Sequence, residues 1–489
     1  MSGRTGLSNA TLGAAKAVRP AYDRSAVTAG IVHLGVGAFH RAHQAVYVDE
    51  CLAAGETGWG ITAVSLRSPA TRDALAPQDG LYTLAVQDAS GEALRVIGSI
   101  GALLVAPEDP AALLGRLADP ATRIVTLTVT EKAYLRGAGG DLDLGHADIA
   151  WDLAHPEAPR TVHGFLVGAL AARRAAGVPP FTVLCCDNLP SNGETVRRLV
   201  LQFAKARDSV LAAALAETVA FPSTMVDRIV PATTDEDRAR IAASLGLDDA
   251  WPVKAEPFRQ WVVEDRFTLG RPAWEHFGVT MVADVRPYEE MKLRLLNGAH
   301  SGLSYLGLLA GRASVSAAFG DPAIRRFVDG LWDEAIPSLP ADAGLDPQAY
   351  VGALAERFSN PALVHRTAQI ANDGSQKLPQ RVLASARAAV EAGRPARHLT
   401  LAVAAWIAAC AARGRSLPAG HFTDPLDAPL DAILAGDPPA EAAVAAVFAA
   451  AGFDAVLGPT RDPLTALTAQ HLTILRTEDA AAAIAAAAG

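Results

Sequence analysis

Cysteine is scarce in this chain: Cys51, Cys185, Cys186 and Cys410 are four among 489 residues, and none stands in a CxxC spacing. Neither a disulfide framework nor a zinc ribbon is indicated. No His/Cys/carboxylate cluster has zinc-ligand spacing either. Long apolar runs are also missing. No stretch reaches the roughly 18 consecutive apolar residues of a membrane span without Gly, Pro or charge. The N-terminal MSGRTGLSNATLGAAKAVRP lacks the apolar run of about 7–15 residues that a secretory signal needs. Basic charge is in deficit, 43 Lys+Arg against 52 Asp+Glu for a net charge of -9, which argues against nucleic acid or an anionic membrane as partner. A cytoplasmic protein in a reducing compartment is expected.

A chain of 489 residues exceeds one ordinary core, so two domains are expected, and no internal repeat is present. Near the N-terminus, GIVHLGVG (30–37) reads as a strand running into a Gly-Val-Gly turn, and AFHRAHQAVYVDECLAAG reads as the helix after it. That arrangement places a pyrophosphate on a helix N-terminus, with Gly35 and Gly37 giving the tight turn and the close backbone approach. Phe39 and Thr130 join them as candidate cofactor contacts. His40 stands where the usual third glycine would be. The next strand, 60–66, is followed by Arg67 and Ser68 where an acidic ribose partner belongs. A basic residue there suits a 2′-phosphate as well as an exposed loop, so NAD and NADP both stay open.

Three further apolar runs end in polar residues: Thr130, Glu131 and Lys132 after 123–129; Asp187 and Asn188 after 181–186; Asp227 and Arg228 after 221–226. Such residues are commonly caps and turns. Three at strand ends favour a shared site beyond the carboxyl edge of an open α/β sheet. Residues 256–285, rich in aromatics, read as strands that close a first domain. The architecture expected is α/β: an N-terminal Rossmann-like dinucleotide-binding domain over 1–285 and a mostly α-helical substrate-binding and catalytic domain over 286–489.

PYEEMKLRLLNGAHSGLSYLG (287–307) reads as one helix, with Pro287 at its first position, Glu289 and Glu290 in its first turn, and Leu293, Leu296, Leu303 and Leu306 as apolar anchors. At about 100° per residue, His300 lies about 80° and Asn297 about 140° around from Lys292. A lysine beside apolar walls has its charged form disfavoured, which brings it toward the range useful for proton transfer. An amide and an imidazole nearby suit an oxyanion and a hydroxyl. From here helical periodicity runs almost to the end, broken by Gly-Asp-Pro at 320–322 and 436–438 and by the loop 336–347. The Ala-rich segments 438–451 and 479–488 read as helices, the second as a fraying tail. RFSNPALVHRTAQIANDGSQKLPQR (357–381) puts Asn372, Asp373, Lys377 and Arg381 near a Gly374 turn and a helix-stopping Pro379. Lys377 and Arg381 suit a sugar hydroxyl array or a carboxylate as well as bare solvent, and Arg259 is a third candidate for a carboxylate.

Taken together, FPSTMVDRIVP, IVHLGVGAFHRAHQAVY, TLTVTEKAY, EPFRQWVVED, MKLRLLNGAHSGLSYLG and HRTAQIANDGSQKLPQR resemble the mannitol dehydrogenase family of polyol-specific long-chain dehydrogenases, most of all its fructuronate reductase (D-mannonate oxidoreductase) branch. The resemblance runs in order from about residue 20 to 410. It implies Lys292 as general acid/base, Asn188 and Asn297 as the amides on the carbonyl oxygen, and His300 as the orienting histidine. It also implies Asp227 as a supporting carboxylate, Glu131 and Glu289 in proton passage, and Lys377 in substrate binding. Gln369 stands where mannitol 2-dehydrogenases carry arginine, which favours the fructuronate branch. The implied cofactor is NAD, NADP not being excluded, and the implied reaction is metal-independent reduction of D-fructuronate to D-mannonate. Alternatives are a mannitol 2-dehydrogenase (D-mannitol to D-fructose), a related polyol dehydrogenase, or a catalytically silent dinucleotide-binding sensor. The expected partner is a small sugar acid or polyol, with no nucleic acid and no membrane, for a monomer or small homo-oligomer.

Overall fold

The computed structural model describes residues 4–488 other than 138, 342, 343, 363, 364 and 419. The chain divides into two compact units, Met1–Arg286 and Pro287–Gly489. The first is built on five strands: β1 (Ala29–Leu34), β2 (Gly60–Ser65), β3 (Ile100–Val105), β4 (Ile124–Leu127) and β5 (Thr182–Cys185). They are parallel throughout and stand in the order β3-β2-β1-β4-β5. Apart from the edge strand β3, where Gly101 and Ala102 are exposed, their residues are buried almost without a break, as a parallel sheet covered on both faces requires. Alternate side chains serve opposite faces. Val32 and Leu34 join Val125, Leu127, Phe165, Leu199 and Phe203 in one core, while Ile31 joins Ile61, Ala63, Val46 and Leu52 in another. The strand order is that of a dinucleotide-binding fold, and it reverses between β1 and β4. A crevice at such a reversal, beyond the carboxyl ends of the strands, is where ligands bind.

Two small sheets flank this one. Tyr82–Asp88 and Gly91–Ile97 form an antiparallel hairpin extended by Val253–Ala255, and Gln260–Glu264 pairs with Thr224–Asp227 on one side and Thr280–Val282 on the other. The strands read within 256–285 are therefore present. The hairpin and β3 lie in a stretch, 70–122, for which no element had been read.

The second unit is helical. Both Gly-Asp-Pro breaks fall between helices: Asp321 accepts from the Ala323 amide and Pro322 opens Pro322–Ala335, while Gly436 and Asp437 are left-handed before Ala440–Ala450. The central helix, Arg397–Ala412, is buried from Leu399 to Cys410 and packs against Gly298–Leu309 and Arg461–Thr477. The last helix, Ala480–Ala488, does not fray. Ala483, Ile484 and Ala487 are buried against Pro322–Ala335, Arg397–Ala412 and Arg461–Thr477. Among the described residues no single helix is long and apolar enough to cross a membrane.

Candidate functional site

In the first unit the candidate site begins where β1 ends. Gly35 has φ +96, and a Cβ built there would lie 2.2 Å from the Thr128 carbonyl oxygen just past β4, so only glycine makes this turn. The Gly37 amide closes it by donating to the Gly35 oxygen at 2.7 Å. Gly37 itself is extended and caps the helix Ala38–Ala42; the nearest atom to a Cβ there is 3.9 Å away. Protein packing therefore does not demand a glycine at 37, and open space lies in front of the helix end.

The helix read as continuous over 38–55 is broken at His43 (φ -130, ψ -90) and resumes as Gln44–Ala53. His40 accounts for the room under the turn. Its ring stacks on His33 of β1 at 3.3 Å, in the place where a third glycine would let the helix approach the strand directly. His33 holds Thr126 Oγ1 at 2.7 Å and Thr128 Oγ1 at 2.9 Å. Burial pushes the His33 imidazole down to about 3 and that of His40 well below its usual value, so both rings are neutral props. Phe39 is half-buried and stacks on His43 at 5.0 Å. Arg67 is exposed beyond β2 and makes no hydrogen bond or ion pair among the described residues; the helix that follows is approached through Ser68, whose hydroxyl accepts from Ala70.

Beyond β4 and β5 the polar strand ends do meet. Asp187 accepts the amides of Val129 and Thr130, each at 2.9 Å, and the Tyr134 hydroxyl at 2.7 Å. Those bonds hold Thr130 at φ +72 and resist the upward push that burial gives the Asp187 carboxyl. Asn192 fixes the other side: its amide donates to the oxygens of Asp187 and Thr224 and accepts from the Thr224 amide. Asn188, between these anchors, is exposed on a pinned backbone. Glu131 heads the short turn Glu131–Tyr134 and faces Arg136 at 3.6 Å across solvent. Asp227 is buried at the end of its strand, in register with Gln260 in a small sheet rather than in the five-stranded one. Arg228 is occupied with main-chain oxygens of Glu256 and Ala42.

In the second unit the expected single helix is one helical rod with a widened middle: Arg286–Met291 is α, Lys292–Asn297 is π, and Gly298–Leu309 is α. The Gly298 amide reaches back five residues to the Leu293 oxygen. A five-residue ring carries residue i+5 back over residue i, so Asn297 stands nearer the face of Lys292 than a regular helix would put it. The turn ends against a close neighbour that requires glycine: a Cβ on Gly298 would lie 2.7 Å from the Arg381 oxygen. Arg381 sits in a second π segment, Pro379–Leu383, between Gly374–Leu378 and Ala384–Glu391. Pro379 thus widens the helix instead of stopping it, because it lacks the amide a regular turn would need.

Lys292, Asn297 and Glu289 are half-buried. His300 is buried, 4.5 Å from the Phe358 ring and 5.3 Å from His365, and its Nε2 finds no partner among the described residues. Burial first, then the nearby His365, Arg357 and Arg381, holds this imidazole neutral. Asp373, rather than Gly374, takes the left-handed turn at φ +59; Gly374 is needed because a Cβ would meet Trp406 and Tyr305. Lys377 Nζ donates to the Asn372 oxygen at 2.6 Å and faces Asp373 at 3.5 Å. Gln369 is exposed on the short helix Thr367–Ile370.

The family profile described as the mannitol dehydrogenase Rossmann domain matches residues 29–276, and that of the mannitol dehydrogenase C-terminal domain matches 284–453. The chain belongs to the mannitol dehydrogenase family. Members of this oxidoreductase family similar to it include the D-mannonate oxidoreductase of Escherichia coli, 47% identical over 80% of this chain and 81% of that protein. The mannitol 2-dehydrogenase of Phaeosphaeria nodorum is 44% identical over 79% and 70%. Among solved structures, the Pseudomonas fluorescens mannitol 2-dehydrogenase in ternary complex with NAD and D-mannitol superposes with a TM-score of 0.83 at 37% identity, covering 99% of both chains. Within this family member, sequence reading missed the Asp187 and Asn192 anchors as anchors, and His365 altogether. For Asp187 the signal was its place at a strand end. For His365 there was none.

Proposed function

We propose that this chain is an NAD-dependent dehydrogenase that interconverts D-fructuronate and D-mannonate, with Lys292 as general acid in reduction and general base in oxidation. The observation that carries the reading is the widened turn that sets Lys292 and Asn297 on nearby faces of one rod, with the neutral His300 following on the same helix. Gly35, Gly37, Phe39, Arg67 and Thr130 are the residues assigned to the dinucleotide. Their fit rests on the strand order, the glycine-only turn at Gly35 and the open space beside Gly37. The chemistry the dinucleotide supplies when bound is hydride exchange with the substrate carbon.

The protein's own part is positioning and proton transfer. Asn297 donates to the carbonyl oxygen as charge gathers there, and Asn188 is assigned the same duty from its pinned loop. Lys292 delivers the proton to that oxygen. His300, neutral and with Nε2 free among the described residues, orients a hydroxyl. Asp227 supports the site, Glu131 and Glu289 pass the proton to and from Lys292, and Lys377 and Gln369 meet the substrate's hydroxyls. NAD is preferred to NADP, as the mannitol 2-dehydrogenase complex with NAD supports. D-mannitol oxidation to D-fructose is the second reading, favoured by the names of relatives only slightly less similar.

Removing proton transfer costs roughly 10²–10⁴ in rate. Lys292→Ala is therefore expected to lower kcat by that range while NADH binding, read by fluorescence titration, stays within about threefold. A variant with near-normal turnover would sink the assignment.

A further inference from the structure

Three basic side chains were candidates to hold a carboxylate, and the structure separates them. Arg259 closes an ion pair with Glu50 at 2.8 Å and lies over the Tyr47 ring. Lys377 is engaged by the Asn372 oxygen and the Asp373 carboxylate. Arg381 has no carboxylate within ion-pair distance among the described residues. Its guanidinium makes one long hydrogen bond there, from Nη1 to Ser301 Oγ at 3.3 Å. A guanidinium carries five donors in a planar fork, and drawing it away from water is costly unless an acceptor matches them.

The place of this unmatched fork is fixed on both sides. Its own main chain is pressed against Gly298. Its partner Ser301 follows His300 directly and donates to the Asn297 oxygen at 3.0 Å, one turn back. The carboxylate that bears on it, Asp373, favours its charge from beyond ion-pair distance. Arg381 adds to the positive surroundings of both His300 and Lys377, and Arg357 acts on His300 as well. Of the carboxylates nearby, Asp373 faces Lys377, and Asp424 accepts the amide and hydroxyl of Ser375. Both carboxylates are thus already engaged, and neither closes on the Arg381 fork.

We propose that Arg381 is the carboxylate receptor of the site, so that the preferred substrate is a sugar acid whose carboxylate lies on the Arg381 fork beside Ser301. The proposal rests on the dehydrogenase reading and adds to it the residue that selects an acid over a neutral polyol. D-mannonate and D-mannitol test it well, since they differ in one terminal carbon, carboxylate against hydroxymethyl.

The experiment measures kcat/KM for both with NAD, and binding of both by calorimetry with and without NAD, in the wild type, Arg381→Gln and Arg381→Lys. The wild type is expected to favour D-mannonate. In Arg381→Gln the D-mannonate to D-mannitol ratio falls about 10²-fold, chiefly through KM, as loss of a charge-assisted bidentate contact implies. Arg381→Lys, which keeps the charge and loses the fork, falls less and carries the test if the Gln variant does not fold. Equal loss on both compounds marks a structural role and overturns the proposal, as does an unchanged ratio. If the wild type oxidises neither compound, the dehydrogenase reading fails and calorimetry decides alone. D-mannonate binding that Arg381→Gln abolishes upholds the receptor; a wild type that binds D-mannonate no better than D-mannitol overturns it.

Discussion

At the scale of single residues, the two glycines of the β1 turn do different work, and they make a paired prediction. Gly35→Ala forces a left-handed backbone, at about 1–2 kcal/mol, and drives a methyl into the Thr128 oxygen, so thermal melting should show a loss of at least about 2 kcal/mol. Gly37→Ala meets nothing closer than 3.9 Å and should melt within about 0.5 kcal/mol of wild type. Its NADH affinity should nevertheless fall about tenfold or more, because the methyl fills the space assigned to the pyrophosphate. An NADH affinity equal to wild type would remove Gly37 from the nucleotide site. The sequence made the turn legible because a Gly-Val-Gly after an apolar run has few other uses. It hid the props beneath. Nothing local to His40 says that its ring will stack on His33, and nothing local to Asp187 says that it will accept amides from a loop 57 and 58 residues earlier.

Elements were legible where periodicity is local and misread where a distant neighbour reshapes them. The rod that begins at Arg286 was recognisable from its apolar anchors, and Leu296, Leu303 and Leu306 are indeed buried. The angle between Lys292 and Asn297 was not, because a local period of 3.6 carries no sign of a π turn, whose place depends on the packing around it. Pro379 misled for the same reason: its effect depends on whether the surrounding packing accepts a widened turn. The final helix is the opposite case, a segment whose alanines gave no sign of docking. Ile484 is 1% exposed, so Ile484→Ala is expected to destabilise the fold by about 2–4 kcal/mol, read as a lower denaturation midpoint. A midpoint equal to wild type would mean that the helix is detached in solution.

For the molecule as a whole, the two family profiles span residues 29–276 and 284–453, while the helices Arg461–Thr477 and Ala480–Ala488 lie beyond them. Membership was visible early because the shared segments are long and fall in order along the chain. Substrate was not, because relatives of nearly equal identity bear the names of a mannonate and a mannitol enzyme. What separates those substrates is a single terminal group, which the proposal above assigns to Arg381. The most direct measurement is the loss of NADH absorbance with D-fructuronate and with D-fructose, run in parallel with NADPH. Turnover with NADH is expected, with a kcat/KM for D-fructuronate at least about tenfold above that for D-fructose. A preference for D-fructose, or no consumption of either reduced nucleotide, would contradict the proposed function.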